Sequence, residues 1–168
     1  MFQHIINGIG IHGPEILFLL SIYWLYNKAT YFNVYLIGFV MNFIFSYILK
    51  GIFKQPRPTD EQHLFAIEKI YRKNMSFERY GMPSGHAQMV FYSTGFIYLV
   101  FQDWYITGGY LLVSLLTLYQ RVASSHHFVS QIIVGALLGL LVAWVFYKYG
   151  TKLVTGKLKH KRDDNGPI

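Results

Sequence analysis

RVASSHHFVSQ, Arg121 to Gln131, is the polar joint between two long apolar runs, and the fold turns on how it is read. It carries one fixed cation, two adjacent imidazoles and, four residues after the second, an amide. Such groups at the end of a hydrocarbon-spanning segment are costly to desolvate, so they point to function. The plainer alternative is an interfacial loop whose Arg and His meet lipid headgroups.

Outward from this joint the chain is apolar. Trp104–Leu118 precedes it and Phe128–Tyr147 follows it. His86–Phe101, Phe32–Phe53 and a shorter run, Ile16–Tyr26, lie nearer the N-terminus. Asn42 and Ser46 interrupt the Phe32–Phe53 run, which turns polar around Lys50. These runs predict an all-α, polytopic transmembrane helical bundle with about five spans and its termini on opposite sides. Gly135 and Gly139 form a GxxxG on the last span, a candidate close-packing face.

Composition agrees. Of 168 residues, 53% are hydrophobic, 18% aromatic and only 14% charged, too apolar for an ordinary soluble domain. Cysteine is absent, which excludes disulfides and thiolate chemistry. A net charge of +7 would suggest nucleic acid in a soluble protein. Here the bases collect in one middle loop and at the C-terminus, which suits anionic headgroups or a phosphate substrate, so nucleic acid is not expected as a partner. No basic segment precedes the first apolar run, so that span is expected to serve as its own insertion signal. Residues 1–148 are read as a membrane-embedded domain and 149–168 as a basic polar tail.

The middle loop, residues 54–83, opens with KQPRP, whose prolines break any helix. TDEQHLFAIEKIYRKN, Thr59 to Asn74, follows with Leu64, Phe65, Ile67, Ile70 and Tyr71 at roughly helical spacing, which predicts a short amphipathic interfacial helix. GMPSGH, Gly81 to His86, closes the loop as a turn.

With five spans, three polar clusters share one face of the membrane: Lys50 to Arg57, Ser84 to His86, and Arg121 to His127. Lys50, Arg57 and Arg121 can surround a tetrahedral anion. The Ser84 hydroxyl and the backbone N–H groups around Gly85, at a helix start, can donate to the same oxygens. The two histidines, His86 and His127, remain for nucleophilic attack and for proton donation to the leaving oxygen. The cations already oppose the developing charge, so neither a metal nor another cofactor is called for. Each residue also has a plainer use: Lys50 snorkelling, Arg57 in a surface turn, Ser84 and Gly85 as turn chemistry, His86 as a helix cap. His126 is read as a neighbour outside the chemistry.

Lys50-x6-Arg57-Pro58, Pro83-Ser84-Gly85-His86 and Arg121-x5-His127 together resemble the three-part signature of the type-2 phosphatidic acid phosphatase superfamily of membrane lipid phosphatases. The resemblance covers roughly residues 35–145. It implies that His127 is the nucleophile and forms a phosphohistidine, and that His86 is the general acid. It implies that Lys50, Arg57, Ser84, Gly85 and Arg121 bind the substrate phosphate. Two positions depart from the family pattern: Gln120 stands where Ser is usual, and Gln131 where Asp is usual. Gln131 can still accept from His127 Nδ1–H, four residues away on a helix, but lacks the charge that stabilises an imidazolium. The dolichyl diphosphatase branch resembles this chain in having Gln there, and in a GMPS-x-H-x-Q run similar to GMPSGHAQ.

The resemblance therefore implies hydrolysis of a polyprenyl (dolichyl-type) diphosphate. Two other readings are phosphatase action on phosphatidate or undecaprenyl diphosphate, and a lipid-phosphate-binding protein disarmed by Gln131. The implied location is the endoplasmic reticulum membrane with a lumenal site in a eukaryote or virus, or the plasma membrane with an exoplasmic site in a bacterium. Eight Lys/Arg lie on the site face and seven on the other; without the three proposed ligands, five remain against seven. That asymmetry favours a cytosolic tail.

Overall fold

The computed structural model describes residues 2–58 and 79–163, so the amphipathic helix expected at Thr59–Asn74 lies outside the described residues. The regular elements among the described residues are helices, as the apolar periodicity predicts: α1 Phe2–Ile11, α2 Gly13–Leu25, α3 Ala29–Phe53, α4 Gly85–Phe101, α5 Trp104–Ala123 and α6 Val129–Asp163.

Local chemistry sets the helix ends. Pro14 occupies the first turn of α2, where its missing N–H costs nothing. Asp103 caps α5, its carboxylate accepting from Tyr105 N–H at 2.8 Å and Ile106 N–H at 3.0 Å. Ser84 caps α4 by accepting from Ala87 N–H at 3.5 Å.

Two helices, Ala29–Phe53 and Val129–Lys157, are long and apolar enough to cross a membrane. α2, at 13 residues, is shorter than the roughly 20 that a crossing takes. α6 differs from the expected last span. It does not stop at Tyr147 but continues to Asp163, with Lys148, Lys152 and Lys157 along its extension. Straight-chain Lys is a good helix former, so the turn from apolar to basic changes the surface and not the backbone.

α4 is the central helix, packed on α6, α5, α3 and α2. Its contact with α6 is close because of the two glycines singled out above. A Cβ on Gly135 would run into the Ser84 backbone, and one on Gly139 into the Gln88 carbonyl and Tyr92 amide. Polar side chains tie the other neighbours: Gln88 Nε2 donates to Asn42 Oδ1 at 2.8 Å across α3 and α4. Thr94 and Ser114 pair at 2.9 Å across α4 and α5, and Ser21 and Tyr110 at 3.1 Å across α2 and α5. Such bonds suit a bundle whose outer faces gain little from apolar burial. Those faces are apolar: Ile37, Val40, Leu137 and Trp144 are all exposed. Rings fill the centre, where Tyr35, Tyr92 and Phe96 are fully buried and mutually stacked or tilted.

One substitution made at two glycines separates close approach from open space. Gly139→Ala is expected to lower stability by about 1–3 kcal/mol, because the new methyl meets backbone that cannot move away. Gly108→Ala, on a face of α5 with nothing nearby, is expected to raise it by up to about 1 kcal/mol. Thermal unfolding of both variants in detergent checks the opposite signs.

Candidate active site

Three helix junctions form the site. α3 ends with Lys50 in its last turn. Lys54, at a left-handed φ of 46°, closes the helix by donating its N–H to the Lys50 carbonyl at 3.0 Å. The chain leaves through Pro56, Arg57 and Pro58, whose rigid φ keeps it from extending the helix. It returns at Gly81, whose N–H donates to the Gln55 carbonyl at 2.7 Å, and reaches α4 through a cis Met82–Pro83 peptide. At the third junction the N–H groups of His126 and His127 both donate to the Arg121 carbonyl, at 3.0 and 3.2 Å. The loop therefore folds back onto the end of α5.

A cavity of about 620 Å³ opens where the junctions meet. Lys50, Arg57, Gly85, His86, Arg121 and His127 line its polar end. The rest of its wall is largely apolar: Phe18 and Leu19 of α2, Phe39, Phe43 and Tyr47 of α3, and Met89 of α4. Lys50 and Arg121 are each only 8% exposed. One Lys50 hydrogen goes to the Tyr80 carbonyl at 2.7 Å, and Arg121 Nε donates to Gln120 Oε1 at 2.7 Å. Gln120, which departs from the usual Ser, thus orients a guanidinium. The first backbone N–H groups of α4, beginning at Gly85, carry the positive end of that helix towards the cavity.

Two of the residues expected at the site stand behind this wall. Ser84 is fully buried; its hydroxyl caps α4 and its N–H donates to the Gln131 carbonyl at 3.1 Å. Gln131 is fully buried as well, and its amide is oriented by its partners. Nε2 donates to the Pro56 carbonyl at 2.9 Å, which leaves Oε1 facing His127 Nδ1 at 3.2 Å and the Phe128 N–H at 3.2 Å. An amide oxygen only accepts, so Nδ1 carries the proton and Nε2 carries the lone pair.

His127 is 4% exposed. Burial, with the nearby charges of Arg57 and Lys50, holds its pKa down to about 3, against the opposing hydrogen bonds to Gln131 and the Gly81 backbone. The imidazole is therefore neutral at physiological pH, the form able to attack phosphorus. His126 is half-buried and is not part of the cavity wall. Among the described residues no group of three or more His, Asp or Glu could hold a metal ion.

Sequence reasoning missed the contribution of the N-terminal helices. α1 and α2 pack on α5, with Gly10 against Gln120 and Gly13 against Thr117. That packing brings Glu15, Phe18 and Leu19 into the cavity wall. No charge or motif in residues 1–20 signals this. Ser46 also faces the cavity, and its spacing of four before Lys50 was a readable sign.

The PAP2 superfamily model matches residues 18–154 of the chain. The dolichyldiphosphatase of Saccharomyces cerevisiae is 29% identical over 120 residues, 66% of this chain and 48% of that protein. Dolichyldiphosphatase 1 of Homo sapiens is 27% identical over 134 residues, 70% of this chain and 52% of that protein. Lipid phosphate phosphatase epsilon 1, chloroplastic, of Arabidopsis thaliana is 29% identical over 126 residues, 70% of this chain and 40% of that protein. The chain thus spans about half the length, or less, of these relatives. No solved structure matches it.

The depressed His127 pKa makes stability depend on pH. The unfolded chain takes up a proton at this residue near pH 6.5, and the folded protein only near 3. Protonation thus favours unfolding, and stability falls as pH drops from about 6.5 towards 3. His127→Gln is expected to flatten this slope in detergent melts across that range. An unchanged slope would contradict the burial of a neutral imidazole.

Proposed function

The chain belongs to the PAP2 superfamily, and from that premise we propose that it is an integral membrane phosphatase removing the terminal phosphate of a polyprenyl diphosphate of the dolichyl type. The observation that carries this reading is the two-sided cavity, with three cations and two imidazoles at one end and hydrocarbon along the rest. Such a cavity suits a phosphate joined to a lipid. A polyprenyl chain is far longer than a space of about 620 Å³, so the tail runs on from the cavity into the bilayer.

Lys50, Arg57 and Arg121 hold the terminal phosphate, together with the backbone N–H groups at Gly85, and Ser84 shapes that turn. His127 Nε2 attacks the terminal phosphorus, and the bond from phosphorus to the bridging oxygen breaks. His86 gives its proton to that oxygen, so the lipid monophosphate departs neutralised by one proton. The remaining group is a phosphohistidine whose imidazolium Nδ1–H donates to Gln131 Oε1. Water then attacks it, His86 takes the water proton, and inorganic phosphate leaves as His127 is regenerated. The cations oppose the charge on the transferring phosphoryl group throughout, so the reaction proceeds without a metal.

Gln131 in place of Asp leaves the phosphohistidine cation less stabilised but keeps the attacking tautomer. The names of the yeast and human relatives support the dolichyl-type substrate. The name of the Arabidopsis relative supports a second reading, action on other lipid phosphates through the same site. Five spans, with the three clusters on one face, agree with their meeting at one cavity. The charge asymmetry supports a site on the lumenal face of the endoplasmic reticulum membrane.

The test is phosphate release from a polyprenyl diphosphate by purified protein in detergent with EDTA present. His127→Ala is expected to lower kcat by about a thousandfold or more, and His86→Ala by about a hundredfold or more. Activity that survives His127→Ala, or that vanishes with EDTA, would contradict this mechanism.

A further inference from the structure

Among the described residues, the other buried hydroxyls are occupied. Ser21, Thr94, Thr107 and Thr117 each donate to the carbonyl four residues earlier, and Ser93 and Ser114 pair with Tyr35 and Thr94. Ser46 differs. It is 3% exposed, yet its Oγ has no hydrogen-bond partner among the described residues. A buried hydroxyl left unsatisfied costs stability, so one retained against a cavity is a candidate for a ligand contact.

Its position says which part of a ligand it meets. Ser46 lies one turn before Lys50 on α3, about 6 Å nearer the apolar end at the rise of an α-helix. Phe43 and Phe39 continue the same wall beyond it. A Cβ built on Gly85 would stand 3.5 Å from Ser46 Oγ, so the hydroxyl sits beside the start of α4. On α3, Ser46 therefore stands between Lys50 and the hydrocarbon wall of Phe43 and Phe39.

We propose that Ser46 is a specificity-determining substrate contact whose hydroxyl donates a hydrogen bond to the second, lipid-linked phosphate of a diphosphate. This rests on the reading of the cavity as a lipid phosphatase site. With the terminal phosphate held by Lys50, Arg57 and Arg121 against His127, the bridging oxygen lies towards His86. The second phosphate then falls at Ser46, and the first carbons of the lipid fall at Phe43. A lipid monophosphate in the same pose puts carbon opposite Ser46, where the hydroxyl finds no acceptor. The residue thus favours diphosphates without touching the phosphorus under attack.

Ser46→Ala tests this in the purified full chain in detergent. For a polyprenyl diphosphate kcat/KM is expected to fall by about tenfold, the scale of one hydrogen bond to a charged group, while that for the monophosphate stays within about twofold. Calorimetric binding supplies a second arm: affinity for inorganic pyrophosphate falls by a similar factor, and affinity for orthophosphate is unchanged. The orthophosphate arm also reports an intact fold. Equal losses on both members of either pair, or no loss on the diphosphate and on pyrophosphate, would overturn the proposal. A wild-type protein that hydrolyses no lipid phosphate would instead overturn the functional reading, and the pyrophosphate arm would still decide the role of Ser46.

Discussion

One buried amide holds the candidate site together. Gln131 sits in the first turn of α6 and touches all three polar junctions. Its Nε2 binds the Pro56 carbonyl after α3, its backbone carbonyl binds the Ser84 N–H at the start of α4, and its Oε1 binds His127 before its own helix. Gly81 packs so close to it that a Cβ there would overlap the amide. The position and tautomer of His127 follow from this network, while its neutrality follows from burial and the charges of Arg57 and Lys50. A carboxylate could accept from His127 but could not donate to Pro56. The chain has therefore exchanged a charge at the nucleophile for a donor that joins a second junction.

The same junctions explain how buried cations are tolerated. Lys50 and Arg121 are removed from bulk water, but each keeps a neutral oxygen partner, the Tyr80 carbonyl and the Gln120 amide. A neutral partner satisfies a hydrogen bond without cancelling the charge of the cation. Glu15 is the one carboxylate on the cavity wall among the described residues, and it is exposed. Helix ends add to this: α4 starts at the cavity, directing its N-terminal dipole into it. Further along the wall the charge gives way to Phe and Leu, so one surface matches both ends of a lipid phosphate.

The helical class, the three motif clusters and the Gly135–Gly139 contact were legible because each rests on a local or periodic signal. Gln131 was legible too, since a spacing of four on a helix puts it beside His127. Other features depend on tertiary packing and left no such signal. Ser84 reads as a phosphate donor, but the turn that makes it a helix cap also withdraws it behind Gly85. Helix α2 reaches the cavity wall by packing on α4 and α5, with Gly13 fitted against Thr117, and glycines are too common in apolar helices to announce a partner. The basic tail reads as a composition change, while its backbone simply continues α6 to Asp163. Ser46 reads as an interruption of an apolar run one turn before Lys50, and the lack of a partner among the described residues sharpens its meaning.

The central claim is that His127 Nε2, freed by Gln131 and left neutral by burial, becomes covalently phosphorylated. Rapid alkaline quenching of the purified protein with polyprenyl diphosphate labelled in its terminal phosphate, followed by peptide mapping, tests it most directly. An acid-labile, alkali-stable phosphate is expected on the peptide bearing His127, and none on that peptide in His127→Ala. Turnover without label at residue 127 would contradict it.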